Sequence, residues 1–243
     1  MTVHVLGGGA VKGLVTGLQD VFASANAATI EGAFSAVGTI RERFEAGEPC
    51  DVLILTDPLI DELASSGRLL AGSARPIGVV HAAVAVPTGQ PHPDIATPDA
   101  LRASLLRASA LYVPDTLRST AGRHVLATLR ALGIAENLAP RLREFANGET
   151  AMRALATDGL ADCVGCTQNT EILSTEGLDL VGVLPAAYGL ATTYTAAVSA
   201  SAADPTLAGH LVALLTGSQA RASRHRSGFS DVAAAPGQEQ AAR

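Results

Sequence analysis

Lys12 is the single lysine among 243 residues, and it stands three positions beyond Gly7-Gly8-Gly9 in VHVLGGGAVKGL, Val3 to Leu14. A cation beside a glycine loop raises phosphate chemistry first. A Walker loop places glycine directly before the lysine and a hydroxyl residue after it, so that the ammonium meets phosphate and the hydroxyl meets magnesium. Here Val11 precedes Lys12 and Gly13 follows, so that reading fails. A dinucleotide fingerprint forced onto Gly7 and Gly9 puts Lys12 where a third glycine belongs, and no acidic residue closes a second strand at the expected distance. What survives is a strand, a glycine turn and a helix start, whose unpaired N–H groups and positive dipole end suit a carboxylate or oxyanion. Gly8, Gly9 and Lys12 are candidates for that role. The plainer alternative is a tight turn with a solvated lysine.

A second candidate is VPDTLRSTAG, where Thr116, Arg118, Ser119 and Thr120 set hydroxyls and a guanidinium around another helix start. The same hydroxyls also serve as ordinary caps. Cys163 and Cys166 form a Cys-x-x-Cys, but no second ligand pair exists for zinc, and on a strand the two thiols project to opposite faces. Two small buried residues are the favoured reading there. The six histidines, at 4, 81, 92, 124, 210 and 225, show neither metal spacing nor a triad pattern. His124 lies nearest a candidate cleft, and only Asp115 and Glu171 among the carboxylates stand beside the binding loops.

Positioning these residues requires a scaffold. With 48% apolar residues, no tryptophan and few other aromatics, the core must be built from Ala, Val, Leu and Ile. The length allows one large or two small α/β units. A formal charge of −6, with no basic run, excludes a general nucleic-acid binder. No apolar run approaches the roughly 20 residues of a membrane span, so no membrane insertion is expected. The three cysteines do not form a disulfide framework, and no targeting leader is visible, so a cytoplasmic location is expected.

Strand-like runs alternate with helical patterns, which reads as βαβ units and a mainly parallel sheet. VHVL and CDVLILTD are strands. Helices are expected at KGLVTGLQDVFASA, at GTIRERFEAG ending on Gly47, and at PLIDELASSG with Pro58 in its first turn and Gly67 at its end. Further along, Thr97 caps a helix begun by Pro98, SALYVPDT and LADCVGCT are strands, and STAGRHVLATLRALGI and GETAMRALATDG are helices. Two long β segments, near 77–88 and 188–199, bracket a complete α/β set, as when a chain crosses from one lobe to a second and returns. The expected organisation is lobe 1 over residues 1–78, lobe 2 over 79–190, a return to lobe 1 over 191–230, and an unstructured tail over 231–243.

The run VGTIRERFEAGEPCDVLILTDPLIDELASSGRL resembles the second-helix and strand signature of type 2 periplasmic-binding-protein folds related to molybdate-binding proteins. PDIATPDALRASLLRA, LGIAE, NGETAMRALATDGLADCVGCTQNTEIL and GLDLVGVLPAAY continue the likeness in order, over about residues 3 to 229. The resemblance implies two α/β lobes, each a mainly parallel sheet flanked by helices, joined by two crossing strands, with a small anion between helix N-termini. Molybdate-type binders carry serines where this chain has Gly7 to Gly9 and Val37. The likeness is better to the aconitate isomerase branch. Its Gly-Gly-x-Lys loop is similar to Gly9 through Lys12, its serine loop to Asp115 through Gly122, and its Gly-Phe-Gln-Gln-x-x-Glu-Leu-Leu segment to Gly165 through Leu173.

This resemblance implies a cofactor-independent, metal-free isomerase of a small unsaturated di- or tricarboxylate, working by an allylic 1,3-proton shift. Gly38, Thr39, Cys166, Thr167 and Gln168 join the expected substrate contacts, and Lys12, Glu171, Asp115 and His124 are the expected proton-moving candidates. The alternative is a non-catalytic binding protein for a small anion, a carboxylate ahead of a molybdate-type oxyanion, acting as an intracellular sensor or, only if a leader peptide has been removed, with an ABC permease.

Overall fold

The computed structural model describes residues 1–232; the expected tail lies outside the described residues from 233 onward. Strand β1 (Thr2–Gly8) buries Val3, Val5 and Leu6 and runs through a 3-10 turn at Gly9–Val11 into helices α1 (Lys12–Gly17) and α2 (Gln19–Asn26). The one helix expected here is two, broken at Leu18 directly after Gly17, a residue with little helix preference. Strand β2 (Thr29–Ser35), helix α3 (Val37–Glu45), strand β3 (Val52–Thr56) and helix α4 (Asp57–Ser65) follow. Every residue of β3 is buried, as its unbroken apolar run requires of a central strand.

The long strand β4 (Arg75–Pro87) leads to helix α5 (Pro98–Arg107), where the Thr97 hydroxyl accepts from Ala100 N at 3.2 Å as expected of a cap. Next come β5 (Leu111–Pro114), α6 (Thr120–Ala131), α7 (Ala135–Leu138), β6 (Leu142–Phe145) and α8 (Gly148–Thr157). The chain continues through β7 (Val164–Gln168), α9 (Asn169–Leu173), β8 (Leu178–Val183) and β9 (Ala191–Val198), and closes with α10 (Pro205–Thr216) and α11 (Arg221–Arg226).

The strands form one curled mixed sheet in two halves. β2, β1 and β3 run parallel, and β9 then pairs antiparallel with β3 and with β4. In the other half β7, β5 and β6 run parallel, and β4 pairs antiparallel with both β7 and β8. β4 joins the halves: Arg75 to His81 pair with β9, and Ala82 to Pro87 pair with β7 or β8. The result is a two-lobed α/β fold. One apolar cluster fills the first lobe, and two others cover opposite faces of the second sheet. Cys163 belongs to one of those faces and Cys166 to the other, and burial pushes the Cys166 thiol up to about 12. Among the described residues no helix is long and apolar enough to cross a membrane.

Candidate functional site

Parallel strands point their carboxyl ends, and the amino ends of the helices that follow, in one direction. In each lobe that direction is toward the other lobe. The cleft is lined by Gly9 after β1, by Ser35, Ala36 and Val37 after β2, and by Ser119, Thr120 and Ala121 after β5. Asn147 and Gly148 after β6, Gln168 and Glu171 at the β7–α9 junction, and Tyr194 from β9 complete it. The starts of α3, α6, α8 and α9 therefore converge. Their first N–H groups have no intrahelical acceptor, and their dipoles add at one point. A hollow of about 650 Å³ lies instead at the amino ends of β1 and β3, lined by residues such as Thr2, His4 and Asp51, where helix carboxyl ends rather than helix starts emerge.

Glu171 occupies the middle of the cleft lining. Its Oε2 accepts from Thr167 Oγ1 at 2.5 Å, and its carboxylate also takes the backbone N–H groups of Gln168 and Gly148. Burial raises its pKa to about 7, because desolvation outweighs those three donors, and the charge of Glu149 adds to the rise. Glycines make its seat. A Cβ at Gly9 would fall 2.5 Å from Oε1, and one at Gly148 would collide with Oε2 and with Thr167 Oγ1. Gly8 and Gly9 hold ordinary negative φ values, so close approach rather than turn geometry demands glycine.

Lys12 spans the mouth of the cleft. Its Nζ meets Glu149 Oε1 at 2.6 Å, linking the start of α1 in one lobe to the first turn of α8 in the other. Two more links bridge the lobes: Gly38 N donates to the Arg118 carbonyl at 3.3 Å, and the Arg118 guanidinium lies 3.7 Å from Glu42. The lobes are closed on a cavity of about 10 Å³, close to the volume one water needs. A ligand larger than a water can enter only when they part.

The structure brings Gly9, Ser119, Thr120, Gln168 and Glu171 of the expected residues to the lining, with Gly8 packed on Tyr194 and Thr167 bonded to Glu171 behind it. It directs others elsewhere. Asp115 Oδ1 accepts from Leu117 N and Arg118 N, which close a turn and hold its carboxylate below the usual range. Thr116 is bound through N and Oγ1 to Glu144. His124 Nε2 lies 2.8 Å from the Tyr188 carbonyl. Cys166 faces the apolar core with Val84 and Leu111, and Gly38, Thr39 and Arg118 stand at the rim rather than in the lining. Tyr194, Asn147, Gly148, Ser35 and Glu149 carried no signal of their own beyond the helix start at Asn147-Gly148.

Residues 3–230 match the family described as bacterial extracellular solute-binding protein. The chain belongs to that family. It is 25% identical over 247 residues to an aconitate isomerase of a Pseudomonas species, an alignment covering 97% of this chain and 90% of that protein. Among solved structures it resembles the periplasmic molybdate-binding protein of Azotobacter vinelandii, with a TM-score of 0.79 and 18% identity over 94% of this chain and 98% of that one. It also resembles the sulfate-binding protein SubI of Mycobacterium tuberculosis H37Rv, with a TM-score of 0.73 and 16% identity over 96% and 88%. These likenesses establish the type 2 periplasmic-binding-protein fold. The solute-binding family agrees with a ligand cleft between the lobes, at which the helix starts converge.

Proposed function

We propose that this solute-binding scaffold works as a cofactor-independent isomerase of a small unsaturated di- or tricarboxylate, with Glu171 as the base. The observation that carries this reading is a buried carboxyl with a pKa near 7 set inside the cradle that would hold the ligand. A site built only to retain an anion gains nothing from a second negative charge at its centre, since like charges at short range in a poorly solvated cleft repel strongly. A group that holds a proton at one moment and releases it at the next suits proton transfer. The aconitate isomerase relative supports the same class of reaction.

The chemistry is a 1,3-shift. Glu171 takes a proton from the methylene of the unsaturated acid, and the resulting allylic anion spreads its charge onto the substrate carboxylates. The first N–H groups of α3 and α6, at Val37, Thr120 and Ala121, face that charge and stabilise it as it develops. Parting of the lobes, against Lys12–Glu149 and Arg118–Glu42, admits substrate and releases product.

A second reading, a non-catalytic binding protein for a small carboxylate, is favoured by the rim links themselves, because interlobe pairs that re-form on closure are how a two-lobed cleft retains a ligand. The two separate when purified protein is mixed with trans-aconitate in heavy water and followed by proton NMR. Conversion to the cis isomer, or deuterium entry at the methylene, is expected for the isomerase. Tight binding with neither outcome assigns the protein to the second reading.

A further inference from the structure

Tyr194 reaches the cleft from β9, one of the strands that join the lobes, and is only 3% exposed. Its ring packs on Gly8, where a Cβ would fall 2.7 Å from Cε1 and 3.2 Å from the hydroxyl oxygen. Gly9, the next residue, meets Glu171 Oε1 in the same manner. Two consecutive glycines thus seat two titratable side chains of the same cleft lining. No protein group among the described residues bonds the Tyr194 hydroxyl, which lines the cleft. The ring is buried while the hydroxyl borders the cavity, so its donor is free for whatever occupies the cleft. Burial raises its pKa, and the charge of Glu171 raises it further, so the hydroxyl keeps its proton.

The Glu171 carboxylate is held in one place by Thr167, Gln168 N and Gly148 N, with Gly9 and Gly148 close to its two oxygens, so a second proton-bearing group beside it divides the work at the two ends of an allyl unit. We infer that Tyr194 is the catalytic acid that complements Glu171, delivering a proton to the far carbon of the allyl unit after Glu171 has taken one from the methylene; the inference rests on the isomerase reading. The C–H bonding pair becomes the new C=C bond, the old C=C pair takes the phenolic proton, and the O–H pair stays on oxygen as tyrosinate. The Glu171 carboxylic acid then returns a proton to the tyrosinate through water admitted on opening. That transfer is downhill, because a carboxylic acid titrating near 7 is a much stronger acid than this phenol. No other reactant is consumed.

The test compares wild type, Tyr194→Phe and Glu171→Gln with trans-aconitate in heavy water, following both conversion and deuterium entry at the methylene. Tyr194→Phe keeps the ring against Gly8, so its melting temperature should stay within a few degrees of wild type. Its conversion should fall about 100-fold or more, in the range general acid catalysis supplies, while methylene exchange persists within a few-fold, because Glu171 still removes and returns hydrogen at that carbon. Glu171→Gln should lose both. Conversion by Tyr194→Phe within twofold of wild type overturns the acid role, and so does equal loss of conversion and exchange, which marks Tyr194 as a stabiliser of the anion. A wild-type protein that binds trans-aconitate but neither converts nor exchanges it sinks the isomerase reading and the acid role together, an outcome distinct from the other two.

Discussion

The α6 side of the cleft and the α8–α9 side are both built from helix starts, yet they present opposite faces to a ligand. At α6 the Ser119 hydroxyl is committed to Gly122 N, the Asp115 carboxylate to its own turn, and Thr116 to Glu144. What remains there is uncharged: the Thr120 hydroxyl and the N–H groups that begin the helix. At α8 and α9 the N–H groups of Gly148 and Gln168 are already taken by Glu171, a carboxyl from within the protein. One side leaves its donors free, and the other has committed them to a buried carboxyl. The hydroxyl-rich sequence of the α6 loop is mostly scaffolding, whereas the sparse-looking Thr167-Gln168-Asn169-Thr170-Glu171 segment carries the buried carboxyl, the base of the proposed reaction.

The sharpest way to break this contrast is Glu171→Gln, which should lower isomerisation of trans-aconitate by at least 100-fold, in the range of general base catalysis. In wild type the rate should rise with pH through about 7, since the base acts as carboxylate. Stability should move the other way. With a folded pKa of about 7 against an ordinary glutamate value of 4.5, the folded state binds more protons between those values. The stabilisation is therefore full below the unfolded pKa and is lost as pH rises through about 7, by a few kcal/mol in order of magnitude. Urea unfolding at pH 5 and pH 8 should show that slope in wild type and not in Glu171→Gln. A parallel slope in both would remove Glu171 as its source.

Gly148→Ala comes next, because a Cβ there collides with Oε2 of Glu171 and with Thr167 Oγ1. Activity should fall at least tenfold and the melting temperature by several degrees; a variant equal to wild type in both would show that Glu171 is not held in this seat. Lys12→Ala removes the Nζ link to Glu149 at the mouth. Both partners are partly exposed, so stability should change by no more than about 1 kcal/mol, while the closed, ligand-holding state is less populated and calorimetry should read severalfold weaker binding. Equal affinity would take Lys12 out of the site. Ser119→Ala should show the smallest kinetic effect. It removes the α6 cap for about 1 kcal/mol of stability, with kcat within about twofold, since the hydroxyl serves Gly122 N rather than substrate. A large kcat loss there would mean that the α6 side takes part in the chemistry.

Much of this was legible along the chain. The buried run of β3, the Thr97 and Ser119 caps and the glycines ending α3 and α4 are local signals, and the structure forms each element there. Strands β2, β6 and β8 were not legible. They lie at or near sheet margins, and β2 reads TIEGAFS with only Ile30 buried, so neither an apolar run nor a clean alternation marks it. Cys166 shows the limit of motif matching. Alternation along β7 turns it with Val164 into the core and sends Thr167 to the other face, against Glu171.

The sequence by itself determined that helices begin at glycine- and hydroxyl-rich turns after strands, and that two long β segments join two α/β sets, because periodicity, capping and turn preferences act over a few residues. Only the tertiary structure decided which side chains stand at those turns. Glu171 is lifted to about 7 by the dry space that Gly9, Gly148 and the closed lobes make around it, and Tyr194 faces it from a strand with no motif of its own. The acidity of a buried group is a property of its surroundings, and those surroundings come from segments that meet only when the chain folds.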